Sequence, residues 1–204
     1  THVYDAAGDY TVNLTASNDA GSSITYSKNL TLTDPNSARK LLTGEESKTW
    51  KLFREGTCMS LGPNPDDPAA WWPGLTNDGA RPCLYAQTFT FHNDGKYVFN
   101  DAGVFWGEYG VFDGQDWYET CFPAEAEYMI NKDGVDVSAW LSGEHSFTYD
   151  PSTGSVTLDG DGAWIGIPKL GPAGETTVPV TSTSFTIEIL PGEGYDLMTL
   201  GFNY

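Results

Sequence analysis

Adjacent aromatic rings are the side chains of this sequence best suited to act on a ligand. Trp71 and Trp72 stand together in residues 64–83, a stretch with four prolines and no strand period. Trp117 and Tyr118 repeat the pairing between Gln115-Asp116 and Glu119. A pyranose has an apolar C–H face and a rim of hydroxyls. An indole covers the face, and amides, carboxylates or a guanidinium bond the rim. Trp71, Trp72, Trp117 and Tyr118 are therefore read as stacking platforms, with Arg81, Asp78, Gln115, Asp116 and Glu119 as hydroxyl partners. Two other readings are open: the rings fold back as plugs over the ends of a sandwich, or they form a protein-binding hot spot. Trp50 and Trp164 sit in alternating apolar runs and read as core, while Trp140 follows the polar segment 133–138.

Other chemistry finds less support. Glu125 and Glu127 on one strand face would lie about 7 Å apart, a spacing of interest for acid–base work on a glycoside. A solvated strand or turn is the plainer reading of both. The sequence has no Gly-x-Ser-x-Gly, no His-Glu-x-x-His and no phosphate-cradling glycine loop. His2, His92 and His145 are too scattered to hold a metal. Asp159, Asp161, Asp66 and Asp67 could give oxygens to a structural calcium, though no EF-hand loop is present and turn chemistry explains them as well. No other cofactor is expected. Cys58, Cys83 and Cys121 form no CxxC, which removes zinc and thioredoxin-type readings. One disulfide plus one thiol is the simplest arithmetic, with three buried free cysteines as the other reading.

The elements that must position these residues are β-strands. Tyr10, Val12, Leu14 and Ala16 alternate with polar neighbours, Asn18–Gly21 reads as a turn, and Ile24, Tyr26, Leu30 and Leu32 continue the pattern. Asp34-Pro35-Asn36-Ser37 opens a short helix that Gly44 closes. Beyond it, six Asp-Gly dipeptides mark tight hairpins, at Asp78, Asp94, Asp113, Asp133, Asp159 and Asp161. The clearest hairpin spans residues 88–99. Further strands are expected at 48–53, 146–150, 155–158, 163–167, 184–190 and 196–202. Short strands with frequent turns predict an antiparallel sandwich or barrel.

Composition narrows the partner. The 204 residues carry 28 Asp and Glu against 10 Lys and Arg, a net charge of −18. That excess argues against nucleic acid and anionic membranes, because each phosphate contact needs a cation. No apolar run spans a bilayer. Charged residues are only 19% of the chain, and abundant neutral polar and turn residues fit a secreted β protein. No leader segment is visible, and Thr1 reads as a mature or fragment start.

Two resemblances sharpen these expectations. His2, Tyr4, Gly8, Tyr10, Val12, Leu14, Asn18 and Gly21 resemble the last third of a PKD domain, the immunoglobulin-like module of many bacterial surface proteins. From residue 48 onward the chain resembles a domain found beside PKD modules in marine Bacteroidota, appended to secreted glycan hydrolases and surface glycan-binding lipoproteins. The matching stretches are Lys48–Leu52, Gly62-Pro63, Trp71-Trp72, Arg81–Tyr85, Phe91–Gly95, Cys121, Phe147–Asp150 and Gly160–Lys169. This resemblance implies a non-catalytic module that holds a neutral algal polysaccharide, laminarin-type β-1,3-glucan foremost; a monomer is expected. It places the module outside the cell, secreted or on an outer-membrane lipoprotein. It also implies a Cys83–Cys121 bridge, which would contribute roughly 4 kcal/mol in the chain-entropy view, with Cys58–Cys83 as the alternative. Members often carry acids where this chain has Ala86-Gln87, a departure that bears on specificity. The expected architecture is all-β: a partial PKD-like segment over 1–34, a helical linker over 35–44, and a jelly-roll-like antiparallel sandwich over 45–204. A glycoside hydrolase or lyase of unrecognised type, and a structural or adhesion spacer, are the rival functions.

Overall fold

The computed structural model describes residues 8–21, 23–32, 35–64 and 66–202. His2, Tyr4 and Asp34, used above, lie outside them. Strands β1 (Gly8–Ser17) and β2 (Ser23–Leu32) form an antiparallel hairpin with Leu14 opposite Tyr26. Strict alternation gives the hairpin two unlike faces. On one, Thr11 donates to Asn29 Oδ1 at 3.1 Å and Thr15 meets Thr25 at 2.9 Å. On the other, Val12, Leu14, Ile24, Tyr26 and Leu30 are exposed.

Helix α1 (Pro35–Thr43) ends where Gly44 takes a φ of +65° and donates its N–H to the Lys40 carbonyl at 2.8 Å. Leu42 is fully buried, and its carbonyl accepts the indole N–H of Trp50 at 2.9 Å. The helix is thus fastened to the main domain by a core tryptophan.

The remaining elements are β3 (Ser47–Trp50), β4 (Met59–Leu61), β5 (Trp72–Leu75), α2 (Pro82–Ala86), β6 (Thr88–His92), β7 (Lys96–Asn100), β8 (Val104–Trp106) and β9 (Cys121–Pro123). After them come β10 (Gly143–Asp150), β11 (Ser155–Asp159), β12 (Leu170–Gly171), β13 (Gly174–Glu175), β14 (Ser182–Leu190) and β15 (Leu197–Gly201). Seven of these strands make one antiparallel sheet in the order β15-β14-β11-β10-β7-β6-β3. Its inner face carries Trp50, Phe89, Phe91, Tyr97, Phe99, Phe147, Val156, Leu158 and Phe185, all buried. Its outer face is hydroxylic: Thr49 pairs with Thr90 and Thr157 with Ser184, each at 2.8 Å. Short two-stranded ladders, two 3-10 turns and the buried segment 162–168 cover the inner face. The fold is an all-β antiparallel sandwich behind immunoglobulin-like strands, as the alternation and turn spacing predict.

Trp164 shows how the covering layer is keyed. Its ring lies 4.3 Å from Phe99, 5.8 Å from Phe89 and 6.0 Å from Phe105, and its N–H donates to the Trp140 carbonyl at 2.9 Å. A Cβ on Gly162 would meet the Ala139 carbonyl oxygen at 2.1 Å, so only glycine fits that crossing.

Several expectations are corrected. Residues 163–167 are buried but not a strand, because the positive φ values of Gly160, Gly162 and Gly166 break the extended run. The expected strand over 48–53 ends at Trp50. Glu125 and Glu127 share no strand face, since Ala126–Tyr128 is a 3-10 turn.

Candidate functional site

The Trp71-Trp72 segment is not the irregular connection its sequence predicts. β4 and β5 pair, with Leu61 opposite Trp72. Glycines permit the close pairing: a Cβ on Gly74 would lie 2.2 Å from the Met59 carbonyl oxygen. A Cβ on Gly62 would lie 1.8 Å from that of Asp67, so the loop folds back on Gly62. The Trp71 N–H donates to the Leu61 carbonyl at 3.0 Å and fixes the end of that loop. Trp72, the first residue of β5, packs half-buried on a small cluster of Leu75, Cys83, Leu84, Tyr85 and Trp106. Trp71 stands outward and is 60% exposed.

Arg81 lies between two indoles, its guanidinium carbon 6.0 Å from the Trp72 ring and 4.8 Å from that of Trp106. Its Nη1 is 3.7 Å from Glu108 Oε1, and Lys169 Nζ is 3.7 Å from Glu108 Oε2. Lys169 also pairs with Glu175 at 3.0 Å. The Glu108 side chain is only 3% exposed. Burial pushes its carboxyl up to about 7, against the opposing pull of Lys169 and Arg81. Oε1 accepts no hydrogen bond among the described residues.

Residues 107–120 connect this centre to the second aromatic pair. The Gly107 N–H donates to the Thr120 carbonyl at 3.0 Å, and the Glu119 N–H to that of Gly107 at 2.8 Å. A Cβ on Gly107 would lie 2.0 Å from the Trp117 carbonyl oxygen. Tyr109 follows on a turn in which the Glu108 carbonyl accepts from both Val111 and Phe112. Its ring is 62% exposed, 5.9 Å from Lys169 Nζ and 6.4 Å from the Tyr118 ring.

The other predicted residues divide. Trp117 does not stand outward. It is half-buried against the core, 5.7 Å from Phe122 and perpendicular to Tyr128 at 5.5 Å. Tyr118 is half-buried beside Tyr109, and burial with the neighbouring acids Glu119 and Asp113 raises its phenol. Gln115 donates to the Asn131 carbonyl at 3.3 Å, and Asp78 Oδ1 accepts from the Ala80 N–H at 2.9 Å, so both serve their own loops. Asp116 and Glu119 are exposed, Glu119 with a left-handed φ of +51°.

A disulfide joins Cys83 to Cys121, 38 residues apart in sequence. Arg81 precedes the first cysteine by two residues and Glu119 the second, so the bridge ties both aromatic loops to one region. Cys58 remains a thiol, half-buried with Sγ 3.2 Å from the Tyr85 hydroxyl. Among the described residues no three His, Cys, Asp or Glu side chains converge as a metal site would require.

Sequence reasoning missed Trp106, Glu108, Tyr109 and Glu175. Tyr109 had a readable signal, an aromatic residue between Gly107 and Gly110; Glu108 had none, because its partners come from distant segments.

A family model described as PKD domain matches residues 1–31. This supports the reading of the N-terminal hairpin as PKD-type, and PKD domains typically occur in extracellular proteins. Comparison with curated proteins and with solved structures finds no match. No helix among the described residues is long and apolar enough to cross a membrane.

Proposed function

We propose that this chain is a non-catalytic module that captures a neutral polysaccharide outside the cell, foremost a laminarin-type β-1,3-glucan. The observation that carries the reading is Trp71, an indole held outward at 60% exposure by a locked loop. In this reading Tyr109 and Tyr118, 6.4 Å apart, supply further rings, and Arg81 and the exposed Asp116 and Glu119 are the hydroxyl partners. Trp72 supports Arg81 more than it faces solvent. Capture by a few wet stacking contacts corresponds to micromolar to millimolar affinity, about −4 to −8 kcal/mol.

Affinity electrophoresis on a polysaccharide panel tests this. The native chain is retarded by laminarin, and Trp71→Ala abolishes retardation while melting is unchanged. No retardation on any neutral glycan, or normal retardation of the variant, overturns the reading. The rival reading is a hydrolase, for which the buried carboxyl of Glu108, 3.7 Å from both Arg81 and Lys169 and pushed up by burial, would be the general acid. Release of new reducing ends from laminarin or xylan, or of unsaturated products from alginate, would establish that alternative.

A further inference from the structure

The Arg81 guanidinium lies over the Trp106 ring at 4.8 Å, 6.0 Å from the Trp72 ring and 3.7 Å from the buried Glu108 carboxyl, yet among the described residues it donates no hydrogen bond. Its side chain is 23% exposed. Lys169, by contrast, is committed to Glu108, Glu175 and the Tyr109 carbonyl. A clamped guanidinium with unused N–H groups is a rigid fork suited to two adjacent oxygen acceptors. Glu108 and Glu175 within the cluster, and the net charge of −18, disfavour an anionic pair of oxygens. A vicinal diol is the neutral group that fits. The Tyr109 ring lies beside the same cluster through Lys169.

We propose that Arg81 grips a vicinal diol, with Tyr109 stacking on the same sugar ring and Glu108 acting as the positioning residue that holds the fork. This rests on the glycan reading and adds to it where along the polymer the module binds. A backbone ring of β-1,3-glucan, linked through O1 and O3, keeps hydroxyls on C2, C4 and C6, no two of them adjacent. Only the two terminal rings and the branch tips carry neighbouring hydroxyls: C2, C3 and C4 at the non-reducing end, C1 and C2 at the reducing end. The module is therefore a reader of chain ends and branch tips.

Periodate cleaves vicinal diols and leaves the β-1,3 backbone intact, so the native chain can be run against laminarin before and after periodate oxidation and borohydride reduction. Retardation by untreated laminarin, lost after oxidation, is the expected result. Equal retardation by both polymers overturns the diol proposal and leaves the glycan reading standing; retardation by neither removes both. On the protein side, Arg81→Lys, which keeps the charge beside Glu108 but loses the fork, should weaken binding of untreated laminarin at least tenfold in a chain that still folds. Glu108→Gln should weaken it less and flatten its pH dependence between pH 5 and pH 8. An Arg81→Lys chain that folds and binds normally also overturns the proposal.

Discussion

Glu108 concentrates the electrostatics of the site in one side chain. Its folded carboxyl titrates at about 7 against an ordinary value of 4.5, mainly because it is buried. The folded state therefore holds this proton more tightly than the unfolded chain. The resulting stability is fully present below the ordinary value and is lost as pH rises through about 7. Glu108→Gln, which cannot ionise, should gain on the native chain by roughly 1–3 kcal/mol between pH 5 and pH 8. Thermal melts at the two pH values read the difference, and a constant gap between the two proteins would show that Glu108 does not titrate there. Cys58 offers a second residue-scale test. Burial raises its thiol, so little thiolate forms near neutral pH. Alkylation of the native chain should lag far behind that of the denatured chain, with equal rates counting against the half-buried placement.

At the scale of elements, the β4–β5 ladder and the disulfide decide what the rings can do. Gly62→Ala forces a methyl into the Asp67 carbonyl. It should destabilise by more than about 1 kcal/mol and release Trp71, so that laminarin retardation falls although no contacting side chain changed. Trp72→Ala empties part of the small cluster and should lower stability by about 2 kcal/mol. Trp71→Ala should stay within about 0.5 kcal/mol, as for an exposed side chain. Replacing Cys83 and Cys121 by serine should cost roughly 4 kcal/mol and weaken binding by freeing the two loops from each other. The ladder itself was hidden in the sequence. Three-residue pairing held by Gly62 and Gly74 shows no alternation, whereas β6 and β7 announce themselves through Phe89, Phe91, Tyr97 and Phe99 around Asp94-Gly95.

Across the whole molecule, the hairpin of β1 and β2 stands apart energetically from the sheet domain. Nearly all its side chains are exposed, and its cross-strand bonds are internal. Removal of residues 1–34 should leave the melting temperature and laminarin retardation of the remainder unchanged; a drop in either would show that the hairpin supports the main domain. The charge of −18 acts on the entire chain. Salt screens that self-repulsion, so melting should rise modestly with ionic strength while capture of a neutral glucan barely responds. Strong salt weakening of capture would signal an anionic ligand.

The all-β class, the hairpin at Asp94-Gly95, the closure of α1 at Gly44 and the core roles of Trp50 and Trp164 are local consequences of alternation and turn chemistry, and a single chain read end to end carries them. The Cys83–Cys121 pairing came from the resemblance, because spacing alone does not choose among three cysteines. Tertiary structure alone turned Trp117 inward, split Trp71 from Trp72, and set Glu108 between Arg81 and Lys169. Those outcomes depend on which distant segments meet under the sheet, and burial, which moves the Glu108 proton, exists only once they have met.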